Sequence, residues 1–273
     1  MAGTLSVAGK RLVAGRHSVG QGLQRTSTSI SPQLELAVED ASGVRLAASV
    51  GAARVELCAA LAETDGITPS IGTIKQACQV GLPVHVLIRP RPGNFTYTGE
   101  EIEVLEHDVA AALDAGAAGV VVGILAADGG PDVAALRRIS GLAREQHPSA
   151  EVTFHRAFDA ALAAGVDPAE ALARLEHAGV DRVLTSGGKP HCTAGLQMLI
   201  RLVEMGRTHA PSVQIMAGGG VRLGLVPALL KSGVHAVHSS ARTQDPATGT
   251  RANAADPLLA ASLAAALAAG GYE

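Results

Sequence analysis

Large aromatic side chains are almost absent from this chain: of its 273 residues, three are Phe, two are Tyr and none is Trp. Any core must be packed from Ala, Val, Leu and Ile, which suits buried parallel strands and Ala-rich helices. The sparse rings near Phe95 and Phe154 cannot form the stacking platforms that single-stranded nucleic acid requires. Strong charge is lacking as well, since a formal net charge of -3 provides no basic field for a phosphate backbone. Nor is there an apolar run of the about 18 residues that a membrane span needs; Val120 to Ala127 is broken by Gly123 and ends at Asp128. Cysteine is scarce, and Cys58, Cys78 and Cys192 show no CxxC spacing. That excludes a disulfide framework and a structural zinc knuckle. The expectation is a soluble chain in a reducing, cytoplasmic setting, with neither nucleic acid nor membrane as partner.

Acidic residues are missing from the N-terminus, where Lys10, Arg11, Arg16 and Arg25 precede the first carboxylate, Glu35. Residues 1–31 read as a flexible or targeting-like tail, with a transit peptide and a misplaced start both open. Residues 32–273 read as one domain. Short apolar runs alternate with Ala-rich stretches about every 25 to 30 residues, the spacing of βα units. The strand candidates are Leu34 to Val38, Arg54 to Cys58, Val84 to Arg89, Gly119 to Ile124, Val152 to Arg156, Arg182 to Ser186, Val213 to Ala217 and Ala236 to Ser240. Helices are expected near Gly43 to Val50, Ile71 to Val80, Glu100 to Ala115, Asp132 to Gln146, Pro168 to Ala178, Ala194 to Met205, Leu223 to Lys231 and from Asp256. Ser70, Asp132 and Asp167 stand at N-cap positions, and Gly51, Gly81, Gly116, Gly179 and Gly233 stop a helix before the next strand. Eight such units predict a single TIM-type (β/α)8 barrel, a length of about 250 residues being usual for that fold. An open doubly wound sheet would need a Gly-rich phosphate loop after the first strand, and Glu39-Asp40-Ala41-Ser42 is not one.

Barrel interiors are normally filled by Val, Ile and Leu, so ionisable residues inside strand runs are informative. Period-two alternation puts Glu35, Ala37 and Glu39 on one face of the first strand, and Arg54, Glu56 and Cys58 on one face of the second. The third offers His85 and Arg89, and the fifth Thr153 and His155. If those faces point inward, the charges must pair to survive desolvation. One reading is a buried ion network that fixes the barrel register. The other is a site centred on VTFHRAFD (Val152 to Asp159), because His155 and Asp159 sit where barrel active sites are built. His155 would serve as general acid or base with Glu56, Glu35 and Asp159 at hand, and Arg89 or Arg156 would hold an anionic group.

Two further segments share that rim. MAGGGV (Met216 to Val221) and HSSA (His238 to Ala241) come after the seventh and eighth strands, where glycine backbones and a short helix often receive phosphate. Gly218, Gly219, Ser239 and Ser240 are the candidates for a small anionic ligand; a plain tight turn is the alternative. Cys58 is the candidate metal ligand, with His191 and Cys192 after the sixth strand as further donors suited to Cu(I) or Zn. A lone inward cysteine is more often a small buried hydrophobe.

Taken together, RVELCAALAETDGITPSIG (Arg54 to Gly72), IRPRPGNFTYTGEEI (Ile88 to Ile102), VTFHRAFD, RVLTSGG (Arg182 to Gly188), MAGGGV and HSSAR (His238 to Arg242) resemble, in collinear order, the CutC family of copper homeostasis proteins. The resemblance implies a TIM-type barrel, a cytoplasmic homodimer or higher oligomer, and a link by name to copper handling. Carried over by residue, it implies a charged interior at Glu35, Arg54, Glu56, Arg89, His155, Arg156 and Asp159. It also implies a Cu(I) site on two cysteines, one at the end of the first strand and one in the VELC segment. Cys58 fills the second position, but Ala37 stands where the family usually has the first. Copper in this chain would then need His191, Cys192 or a second subunit. The alternative is an enzyme acting on a small phosphorylated or carboxylated substrate.

Overall fold

The computed structural model describes residues 32–243, 252 and 254–270; the expected N-terminal tail, residues 1–31, lies outside them. Eight parallel strands close into a barrel in sequence order. They are β1 (Gln33–Val38), β2 (Arg54–Leu57), β3 (Val84–Leu87), β4 (Gly119–Val122), β5 (Glu151–Phe154), β6 (Arg182–Thr185), β7 (Gln214–Gly218) and β8 (Ala236–Ser239), the last pairing back to β1. Closure excludes the open sheet. Around the barrel run α1 (Ala41–Ser49), α2 (Leu61–Thr64), α3 (Ile71–Cys78), α4 (Gly99–Asp114), α5 (Val133–Gln146), α6 (Ala157–Ala163), α7 (Pro168–His177), α8 (Cys192–His209), α9 (Val226–Ser232) and α10 (Pro257–Ala269). Among the described residues, no helix is long and apolar enough to cross a membrane.

The punctuation read from the sequence operates as expected. Ser70, Asp132 and Asp167 each accept a hydrogen bond from a backbone N–H in the first turn of α3, α5 and α7. The five helix-stopping glycines take φ between 71° and 99°, the left-handed region that a Cβ disfavours. Two short helices escaped the sequence reading. Both α2 and α6 lack a side-chain N-cap bond, and α2 starts after Ala60 at φ 51°, so neither carries a start signal.

Alternate strand positions go to different environments. Leu36, Val55, Val86, Val120, Val152, Phe154, Val183, Ile215 and Val237 face the helices and form the main core. The other face lines the barrel interior, where apolar side chains supply only two small clusters, Cys58–Leu87–Val121 and Leu184–Met216–Ala236. Between these lies charge. Arg54 is 4% exposed and donates from Nε to Glu35 (2.5 Å), from one terminal nitrogen to Glu151 (2.7 Å) and from the other to Thr153 (3.0 Å). It also approaches a ring nitrogen of His85 at 3.2 Å. One guanidinium thus ties β1, β2, β3 and β5 across the interior. Arg182 extends the floor, donating to Gln214 (2.6 Å) and Gln33 (3.3 Å). Glu151, Arg182, Gln33 and Gln214 were not singled out from the sequence. Extending the fifth strand one residue toward the N-terminus and applying the same alternation to the sixth would have found the first two.

Removing one partner of a buried ion pair leaves the other charge unmet, at a cost of about 3–5 kcal/mol. Arg54→Met should lower unfolding free energy by roughly that amount in urea, and adding Glu35→Gln should restore part of it. An unchanged midpoint in Arg54→Met would mean the network holds nothing together.

Candidate functional site

Parallel strands deliver their C-terminal ends to one mouth. Cys58, His155, Gly219 and Ser240 each lie one residue beyond the end of their strands, and Arg89 lies two beyond β3. Three groups of polar side chains line this mouth and the interior beneath it.

The first is built on β1, β2 and β8. Arg54 occupies one oxygen of Glu35, and His238 Nδ1 lies 2.6 Å from the other, donating to it. Glu56 Oε2 lies 3.7 Å from the same His238 nitrogen and has no hydrogen-bond partner, although the residue is only 6% exposed. Burial alone would raise the Glu35 carboxyl, but the Arg54 and His238 cations hold it well below the usual carboxylate range. Glu56 is pushed up to about 7, chiefly by burial, which the His238 cation offsets only in part. Burial works against a charge on His238, yet the hydrogen bond to Glu35 and the Glu56 carboxylate raise its pKa on balance. The imidazole partner of Glu56 is therefore His238, not His155, which the sequence had paired with it. His238 was visible only as part of a rim motif. Gly218 makes room for it, since a Cβ there would lie 3.0 Å from the His238 Cβ and 2.4 Å from a Leu184 methyl.

The second group lies on β3 and β5. Arg89 is 6% exposed and directs its terminal nitrogens to loop carbonyls, those of Thr64 (2.9 Å), Gly66 (2.8 Å) and Gly93 (3.1 Å). Its Nε has no partner, and among the described residues no carboxylate pairs with it. His155 Nδ1 accepts from the Ala157 N–H at 3.0 Å, so the ring carries its proton on Nε2, which is buried and unpartnered. Burial, reinforced by the Arg89 charge, depresses the imidazole to about 3. His155 is thus a neutral hydrogen-bond donor, not the general acid or base expected. The half-buried ring of Phe95 lies between the two, 4.9 Å from the His155 ring and 5.2 Å from the Arg89 guanidinium carbon. Gly123 lets His155 in: a Cβ there would stand 2.0 Å from the imidazole.

The third group closes the β5–β6–β7 side. Asp159 accepts from Thr185 Oγ1 (2.5 Å), Ser186 Oγ (2.9 Å), the Gly188 N–H (2.9 Å) and Arg156 Nε (2.8 Å). A carboxylate so fully engaged clamps the turn after β6 and has no lone pair left for acid–base work, which corrects its expected catalytic role. Arg156 also donates to Ser186 Oγ (3.0 Å), and its guanidinium lies over Gly219, whose φ of 109° brings bare backbone beneath it. The Ser239 hydroxyl accepts from the Ala241 N–H (3.0 Å) and so caps a turn. Ser240, half-buried, remains on the inward face.

Cys58 sits as a small buried hydrophobe does. Its thiol points at the Val38 carbonyl, 3.6 Å away, and burial, together with the carboxylates of Glu56 and Glu39, pushes its pKa far above the ordinary value. Cys192 is raised to about 12, chiefly by burial, and packs in the outer core on the opposite side of the barrel, so it cannot complete a pair with Cys58.

The sequence model of the CutC family matches residues 32–243. A family protein CutC from Sodalis glossinidius is 43% identical over 211 residues, covering 77% of this chain and 79% of its own. One from Agrobacterium fabrum is 41% identical over 217 residues, covering 78% and 82%. Among solved structures, CutC from Streptococcus agalactiae, named for copper homeostasis, superposes with a TM-score of 0.67 at 29% identity, over 77% of this chain and 98% of its own.

The histidines yield a direct check. His85, lowered to about 3 by burial and Arg54, and His155 should both stay neutral, so their imidazole NMR signals should not titrate between about pH 5 and 8. Their unfolded values near 6.5 exceed the folded ones, so the unfolded chain binds more protons in between. The contribution of these two histidines to stability should therefore be lost as pH drops below about 6.5, and a His155 signal titrating near 6.5 would contradict its assignment as a neutral donor.

Proposed function

The chain belongs to the CutC family, and from the chemistry of its mouth we propose that it is an enzyme acting on a small anionic molecule. The observation that carries the reading is Arg89. A buried guanidinium without a carboxylate is costly to maintain, and loop carbonyls offset only part of its charge. Its free Nε and the free Nε2–H of His155 supply two donors of the kind a carboxylate or phosphate oxygen accepts. Phe95 must swing aside for a ligand to reach both. Arg156 above Gly219, with Ser240, offers a second contact for a longer or doubly charged molecule. The Glu35–His238–Glu56 group lies in the same barrel interior and would supply the reactive pole.

Copper enters through the name of the Streptococcus agalactiae relative. The residues here do not fit a two-thiolate Cu(I) site. Ala37 supplies no ligand, and a thiol held protonated, as Cys58 is, must give up its proton at high cost before it can bind. In an anaerobic Cu(I) titration, Cys58→Ser should retain no less metal than the unaltered chain. One equivalent of Cu(I) lost specifically in Cys58→Ser would restore copper binding at that position.

Anion binding is tested by calorimetric titration with malonate and with inorganic phosphate at constant ionic strength. A hydrogen bond to a charged group contributes about 1.5–3 kcal/mol, so His155→Phe should weaken binding at least about tenfold. Arg89→Lys should do the same. Equal affinity in the unaltered chain and both variants would exclude this seat.

A further inference from the structure

We propose that Glu35, Glu56 and His238 form a binding site for a divalent cation, independent of the anion seat at Arg89 and His155. Each residue offers one ligand atom, from three consecutive strands around the barrel, and all three atoms lie within 4.8 Å of one another. Ligand atoms bound at about 2.1 Å to one ion stand about 3 to 4 Å apart, so the widest pair needs to close by no more than about 1 to 2 Å.

The independent mark of a missing occupant is Glu56 Oε2. It belongs to a side chain more than nine-tenths buried, it points at the gap beside His238 Nδ1, and it has no hydrogen-bond partner. A bound cation would satisfy that oxygen. Charge also fits, because Arg54 is bound to the far oxygen of Glu35 and orients the carboxylate while leaving the near oxygen free to turn from His238 to a metal. The His238 side chain keeps 14% of its surface exposed, which leaves room for water or substrate on a bound ion.

Two carboxylates and one imidazole suit Mn2+, Fe2+ or Zn2+ and disfavour Cu(I), which prefers thiolate and thioether. Metal binding needs deprotonated ligands, so uptake must release protons from His238 Nδ1 and from Glu56 where protonated.

The test uses the full chain, stripped with chelator and titrated with Mn2+ and with Zn2+ by calorimetry in two buffers of different ionisation enthalpy. The proposal expects one equivalent of at least one of these cations at micromolar affinity or tighter, with a heat that differs between buffers because protons leave. Glu56→Gln, which keeps shape and removes charge, and His238→Asn should each weaken binding at least tenfold while melting cooperatively; Cys58→Ser should not weaken it. Absence of a stoichiometric site for both ions overturns the proposal, and so does affinity unchanged in Glu56→Gln and His238→Asn. Malonate binding measured on the same samples keeps a failure here distinct from a failure of the anion seat.

Discussion

The interior of this barrel is organised by one buried guanidinium. Arg54 takes one oxygen of Glu35, and that single commitment leaves the other oxygen to His238. His238 is thereby held near Glu56, whose own oxygen goes without a donor. Arg54 also spans to Glu151 and Thr153, so the same side chain that fixes the strands against one another fixes the charge pattern at the mouth. A hydrophobic filling of equal volume would in general be no less stable. What the ionic filling adds is placement: three titratable groups are oriented before any ligand arrives.

The division between the two faces of each strand makes this possible in a chain nearly without aromatic rings. The helix-facing positions supply the main apolar core from Val, Leu and Ile. The interior is free to carry charge. Its upper layer then splits by role. Asp159 is wholly absorbed in clamping the turn after β6, which holds Arg156 over Gly219. Arg89 and His155 each keep one unpartnered donor with Phe95 between them.

The fold was legible because its signals are local. Apolar alternation marked all eight strands, and glycines that must adopt positive φ marked the ends of helices. The inward placement of Glu35, Arg54 and Glu56 followed from period two alone. The roles within the site were not legible, because they depend on contacts between residues far apart in sequence. Asp159 looked catalytic until its donors at Thr185, Ser186 and Gly188 came into view. His155 looked like an acid or base until the Ala157 N–H was seen on its Nδ1. His238 read as part of a phosphate loop, although its position on β8, beside Glu35 on β1, results from closing the barrel. Cys58 carried the family's copper association, and only burial beside Glu56 and Glu39 shows how poorly its thiol is placed to ionise.

Anion binding on the free donors of Arg89 and His155 is put to its sharpest test by a crystal structure of the chain grown in malonate. The expected result is a carboxylate within hydrogen-bonding distance of Arg89 Nε and His155 Nε2, with the Phe95 ring displaced from between them. Phe95 still seated between the two, with malonate bound elsewhere in the mouth or absent, would contradict it.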